Sequence, residues 1–414
     1  MPSVSAMRPM SMIKHNLNDL AWFGGTPLFA EKLYVGRPNL CDRDKLHAVL
    51  DQILDNRWLT NDGPFVQRFE KRLEEYMGVR HCIAVCNATI GLQMVYRALG
   101  RNRSGGRKAL MPAFTFIATA HAWEWEGGQP VFCDVDPRHH LLAPNDVEAH
   151  IDDETALLIG VHTWGQPCQI EKLEALSAAH HIPLVFDSAH AFTNWFGDRR
   201  IGGFGQAEVF SFHATKFFNT FEGGAITTND DALAEELRHM RNFGFSGYDQ
   251  VSGLGTNGKM QEISAAMGLC LLDEVDHLLD INHRNYQAYR EAFQDTPGLE
   301  LLQLDQPETQ NCQYIVTTLA PDSRPFLRDL IVEALWKENV LARKYFHPGC
   351  HRAAPYLGRG EPPVLPVTDD LCRRVMVLPT GTAVQPDQIQ QLAECVRFLM
   401  EHADEIQRQR EQRA

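Results

Sequence analysis

Between residues 79 and 230 the chain alternates short, nearly unbroken apolar runs with stretches whose apolar residues recur every three or four positions. The runs are HCIAVC, KALMP, PVFCDVD, ALLIGVH, IPLVFDSAH, AEVFSFH and GGAITT. A strand wet on one face alternates apolar and polar residues, whereas a strand covered on both faces is apolar throughout. These runs are of the second kind. Amphipathic stretches between them, such as IEKLEALSAAHH, supply the covering helices. The rhythm predicts an α/β fold, a mostly parallel sheet with helices on both faces.

The flanking patterns differ. PFVQRFEKRLEEYMG sets Phe65, Phe69, Leu73 and Met77 at helical spacing, with Pro64 at the first position and Gly78 at the stop. A long helical pattern runs from about Gln261 to Phe293, where it bridges two subdomains. Beyond it, LELLQL, CQYIVTTL and LARKYF alternate with the helix FLRDLIVEALWKEN and a final helix from about Gln385. The division expected is a flexible tail over residues 1–20, a large α/β domain over 21–280 and a small α+β domain over 281–414. The polar end, EIQRQREQRA, is expected to fray.

Composition narrows the function. A formal net charge of −14 argues against nucleic-acid binding, which needs a basic face. Local cations can still hold a small anion, and Arg37, Arg241, Arg343 and Lys344 are the candidates. No apolar run approaches the roughly 20 residues of a membrane-spanning helix, and the first residues lack a secretory core. The ten cysteines are scattered through apolar segments without a CxxC pair, so the expected location is the cytoplasm. HPGCH, from His347 to His351, lacks a second ligand cluster, and no metal is expected.

Open parallel sheets hold ligands beyond the carboxyl ends of their strands. HCIAVC exits into NATIGLQMVYRAL, where a helix starting near Ala88 and Thr89 offers free amides and a positive dipole end to a phosphate. IPLVFDSAH delivers Asp187 at a strand exit. The next strand places Ser211 and His213 on one side and leads to Lys216, which is followed by Phe217 and Phe218. A desolvated lysine loses its proton readily and becomes a nucleophile. Pyridoxal phosphate requires such a lysine, an acidic partner for its ring nitrogen and an anion site. The same residues also suit a structural lysine paired to Asp187 or Glu222, and spacing does not choose between the two.

SFHATK followed by EGGAI, with DSAHA and GTNGKMQEISAAMG, resembles the DegT/StrS-type nucleotide-sugar aminotransferases, pyridoxal-phosphate enzymes of fold type I. The likeness runs from WLTNDGP to MVLPTGT. VGRPN, VCNATIGLQ, HTWGQPC and YFHPGCH are most similar to the desosamine-type members, which aminate C-4 of a TDP-4-keto-6-deoxyhexose. The resemblance implies that Lys216 carries the cofactor as a Schiff base and moves protons, and that Asp187 keeps the ring nitrogen protonated. It implies that Phe116 stacks on the ring, and that Ala88, Thr89 and Ser211 bind the phosphate. His190 stands where many relatives have Gln, in contact with the ring face or hydroxyl. Asn257 matches a residue that reaches the same phosphate across a homodimer interface. Trp58, Thr60, His162, Tyr345 and His347 border the family's substrate cleft, as do Trp164 and His351.

The activity implied is conversion of TDP-4-keto-6-deoxy-D-glucose to TDP-4-amino-4,6-dideoxy-D-glucose, with L-glutamate as donor and pyridoxamine phosphate as the alternate cofactor form. Amination at C-3 of a related keto sugar is the nearest alternative. Sugar dehydratases of the same fold carry histidine at the position of Lys216, and a non-catalytic cofactor-binding regulator would not need the whole motif set.

Overall fold

The computed structural model describes residues 14–100, 106–358, 360 and 363–413. Seven strands form the central sheet: β1 (His81–Val85), β2 (Lys108–Pro112), β3 (Gln129–Cys133), β4 (Thr155–Val161), β5 (Leu184–Asp187), β6 (Ala207–Ser211) and β7 (Gly224–Thr228). Their spatial order is β1-β7-β6-β5-β4-β2-β3. All neighbours run parallel except β7, which is antiparallel to both β1 and β6. β4 is buried at every residue, as its unbroken apolar run requires.

Thirteen α-helices are described. Those on and around the sheet are α1 (Arg43–Asn56), α2 (Pro64–Met77), α3 (Ala88–Gly100), α4 (Ala118–Trp125), α5 (Pro144–His150), α6 (Ile170–His180), α7 (Asp231–Arg241) and α8 (Glu262–Leu272). The remainder are α9 (Val275–Phe293), α10 (Leu327–Lys337), α11 (Pro366–Arg374), α12 (Pro386–Glu401) and α13 (Ala403–Arg413). In α2, Phe65, Phe69, Leu73 and Met77 are all buried, Pro64 opens the helix, and Gly78 at φ +68° closes it with its amide on Glu74. The pattern from Gln261 to Phe293 is two helices, not one. Asp273 is held by Lys45 and Arg72, and Glu274 accepts from the Asp42 amide, so these acids are drawn out of a continuous helix.

The second layer is a three-stranded antiparallel sheet of β8 (Leu299–Leu301), β9 (Ile315–Leu319) and β10 (Val375–Leu378), in that order. Of LARKYF, the start pairs as a strand, Val340–Leu341 in parallel with Leu33–Tyr34, Arg343 makes a single antiparallel bridge to Val377, and β10 takes the third place in the small sheet.

Two expectations about the ends are corrected. Residues 1–13 of the expected tail lie outside the described residues, but Lys14 is buried, 2.9 Å from Glu338, whose carboxylate also accepts from the amides of Ala21 and Leu28 at 2.7 Å each. Leu20, Leu28, Phe29 and Leu33 share a core with the C-terminal helices, so the segment before Tyr34 packs with the small sheet's layer, not the large one. The polar end does not fray before Arg413. Its α13 is pinned by Arg410, 3.0 Å from Glu333 and over the Trp22 ring, and by Arg413 over Phe23.

Candidate active site

The carboxyl ends of the strands open onto a cavity of about 1340 Å³. Five of the sequence candidates line it from the sheet side: Ala88, Thr89, Phe116, Asp187 and His190. Ser211 follows at the end of β6, Lys216 from the loop after it, and Tyr345 from the small-sheet side.

Asp187 is the last residue of β5 and is buried. Burial raises its pKa; Thr119, whose hydroxyl donates to Oδ2 at 2.7 Å, and the Ala189 amide, which donates to Oδ1 at 3.1 Å, work against that rise. The nearby Lys216 charge adds to this counterweight. Thr119 comes from the first turn of α4 and is itself fully buried.

Lys216 sits in the loop between β6 and β7. Its Nζ donates to the Tyr314 hydroxyl at 3.4 Å. The side chain opens on the cavity and is half-buried, yet neighbouring atoms enclose the amine enough to pull its pKa from 10.5 to about 8, with Asp187 and Tyr345 resisting the fall. The amine is therefore neutral in roughly a tenth of molecules at pH 7, against fewer than one in a thousand for an ordinary lysine. His190 is held uncharged by burial and by Lys216, and its Nδ1 has no hydrogen-bond partner among the described residues.

The anion end is built by α3. Asn87 accepts from the Ile90 amide at 2.9 Å and caps the helix, leaving the amides of Ala88 and Thr89 at the cavity wall. Gly224 presses close behind: a Cβ there would stand 2.8 Å from the Ala88 nitrogen and 2.7 Å from the Phe210 oxygen. Ser211 borders the same end. Two arginines also reach the cavity. Neither Arg37 nor Arg343 has a carboxylate partner among the described residues, although Arg343 lies over the Tyr345 ring at 5.1 Å. Arg241, by contrast, is buried and bonded to Glu70, Asp62 and the Ala84 carbonyl, so it braces the fold. Lys344 pairs with Asp329.

Other candidates stand outside this cavity. His162 is fully buried and stacks on Phe186 at 5.0 Å; Phe186 leaves β5 on the face opposite Asp187. Its Nδ1 accepts from the Cys168 amide, and its Nε2 faces Glu208 at 3.6 Å. Trp164 stacks on Phe346 at 4.8 Å behind the cavity wall. His347 is exposed but does not line the cavity, and His351 is buried against Asp369 at 3.0 Å. Trp58, Thr60 and Asn257 also lie away from it on this chain, with Trp58 and Asn257 exposed.

Sequence reasoning missed Thr119 and Tyr314. The spacing of Thr115 and Thr119, four apart on an otherwise apolar helix start, was the available signal for the first; their hydroxyls are 3.2 Å apart. Tyr314 precedes a strand and carries no such signal.

The family model of the DegT/DnrJ/EryC1/StrS aminotransferases matches residues 40–397. The dTDP-4-amino-4,6-dideoxy-D-glucose transaminase of Shigella dysenteriae is 31% identical over 365 residues, covering 88% of this chain and 98% of that protein. Among solved structures, DesI crystallised in the presence of its TDP-sugar product superposes with a TM-score of 0.89 at 43% identity, covering 96% of this chain and 100% of that one. Helicobacter pylori PseC, an aminotransferase involved in the biosynthesis of pseudoaminic acid, gives 0.83 at 26%, over 90% of this chain and 100% of that one. The chain belongs to the DegT/DnrJ/EryC1/StrS aminotransferase family, and its fold is that of the type I pyridoxal-phosphate aminotransferases.

The residues present fit that cofactor. A partly deprotonated lysine, a buried carboxylate, an imidazole with a free ring nitrogen and a capped helix start all converge on one cavity.

Proposed function

From membership in that family, we propose that the protein moves the amino group of L-glutamate, which leaves as 2-oxoglutarate, to C-4 of TDP-4-keto-6-deoxy-D-glucose, forming TDP-4-amino-4,6-dideoxy-D-glucose. The observation that carries this reading is the convergence of Lys216, Asp187 and the start of α3 on one cavity spacious enough to take a hexose beside a cofactor. The named activity of the Shigella relative and the TDP-sugar product of DesI support the substrate.

Bound at this site, pyridoxal phosphate supplies an electron sink that lets the carbon bearing the amino group lose or gain a proton. Lys216 is the base and acid at that carbon, since its amine can take and return a proton near neutral pH. Asp187 would pair with the ring nitrogen, and the Thr119 and Ala189 donors favour its ionised form. Ala88, Thr89 and Ser211 would hold the phosphate, while Phe116 and His190 would contact the ring. Arg37 and Arg343, without a carboxylate partner among the described residues, would receive the sugar diphosphate and the donor carboxylate, and Tyr345 would border the sugar.

The reading includes a homodimer in the cytoplasm. Asn257, Trp58 and Thr60 would then serve the cavity of the partner subunit, which the exposure of Trp58 and Asn257 on this chain leaves them free to do. Ten free cysteines suit a reducing compartment. Among the described residues no helix is long and apolar enough to cross a membrane.

The test is product analysis. Protein loaded with pyridoxal phosphate is given L-glutamate and TDP-4-keto-6-deoxy-D-glucose, and the sugar is examined by NMR. Nitrogen on C-4 is expected; an unchanged sugar, or nitrogen on C-3 after isomerisation, contradicts the proposal.

A further inference from the structure

Lys216 meets a hydroxyl supplied by the other layer of the molecule. Tyr314 immediately precedes β9 of the small sheet, and its hydroxyl is the acceptor for the lysine amine at 3.4 Å. Its ring is wedged among three others: Trp164 at 5.7 Å, Tyr345 at 6.4 Å and His190 at 4.7 Å. Burial raises the phenol's pKa, so the hydroxyl stays neutral and can accept from an ammonium or donate to an amine.

The backbone leading to Tyr314 is fixed to both parts of the site. The Gln313 side-chain amide donates to the His190 carbonyl at 2.6 Å, and its oxygen accepts from the Phe217 amide at 3.5 Å. Asn311 donates to the carbonyls of His190 and Phe192 at 2.9 Å each, and its own amide donates to Asn194 at 2.7 Å. The segment therefore grips the exit loop after Asp187 and the residue after Lys216 together. A packing role alone would need the ring, not a hydroxyl aimed at the Lys216 amine.

We propose that Tyr314 is a positioning residue for Lys216: its hydroxyl holds the free amine toward the cavity whenever the lysine is not bonded to the cofactor. The proposal rests on the pyridoxal-phosphate reading of this site. A free four-carbon side chain samples many rotamers, and a fixed hydrogen bond reduces that search.

The experiment measures how fast pyridoxal phosphate becomes attached to Lys216 in cofactor-free, full-length protein, read by absorbance and by borohydride trapping with mass spectrometry. Tyr314→Phe keeps the ring and removes the hydroxyl, and Tyr314→Leu removes both. Attachment in Tyr314→Phe is expected to slow by about tenfold or more, at an unchanged melting temperature. Attachment at the wild-type rate in Tyr314→Phe, with a loss only in Tyr314→Leu, would make the residue plain packing and overturn the proposal. Failure of the wild-type protein to attach the cofactor would overturn this and the cofactor reading together. Attachment in the wild type without bleaching by L-glutamate would remove the aminotransferase proposal and leave the Tyr314 result standing on its own.

Discussion

Lys216 is reactive because of residues far from it in sequence. Its neighbours Phe217 and Phe218 turn into the core beneath the loop, so the apolar company read from the sequence is not what surrounds the amine. The groups that enclose it are Tyr314 and Tyr345 from the small-sheet layer and His190 from the exit of β5. This sets a measurable pH dependence. Burial lowers the pKa from 10.5 to about 8, so the amine is protonated and inert below that value and free above it. Acetylation of Lys216 by acetic anhydride in cofactor-free protein, followed by mass spectrometry, is expected to rise with a midpoint near pH 8. A midpoint near 10.5 would mean an ordinary solvated lysine. Asp187 was legible as a carboxylate ending an uncharged run, and so was the loop lysine one strand later. Thr119 and Tyr314 were not, because a hydroxyl in an apolar stretch is equally at home in a packed interior.

At the scale of elements, the site depends on how closely β7 approaches the first turn of α3. The antiparallel turn of β7 into the gap between β1 and β6 brings Gly224 against Ala88, with no room for a Cβ. Gly224→Ala must push the helix start away, at a cost of about 1–3 kcal/mol. Urea denaturation is expected to record that loss, and fluorescence titration about tenfold weaker cofactor binding. Normal stability and affinity would show that the helix start has slack to give. The strands themselves were readable because sheets covered on both faces leave continuous apolar runs. The direction of β7 was not, since an isolated five-residue run has no polarity. Nor was the break between α8 and α9: apolar spacing continues through it, and the partners that bend it, Lys45, Arg72 and Asp42, lie more than 200 positions upstream.

Across the whole molecule, the cavity is a joint between two layers. The large sheet brings Asp187, Lys216 and the anion end; the small-sheet layer brings Tyr314, Tyr345 and Arg343. The first described residues strengthen that second layer, since Lys14 and the 20–33 segment pack against it through Glu338 and an apolar core. A reading by position along the chain put Lys14 in a flexible tail and residues 21–33 with the large domain, because nothing local announces a return over some 300 residues. The same separation explains why His162 looked like a cleft residue: it follows a strand exit, but its side chain takes the far face of the sheet. The central claim concerns what this joint does with an amino donor. Purified protein with pyridoxal phosphate is expected to show a visible absorption band that disappears on addition of L-glutamate, and Lys216→Ala is expected not to form that band. A band in the wild-type protein that L-glutamate leaves unchanged, or one that persists in Lys216→Ala, would contradict the account.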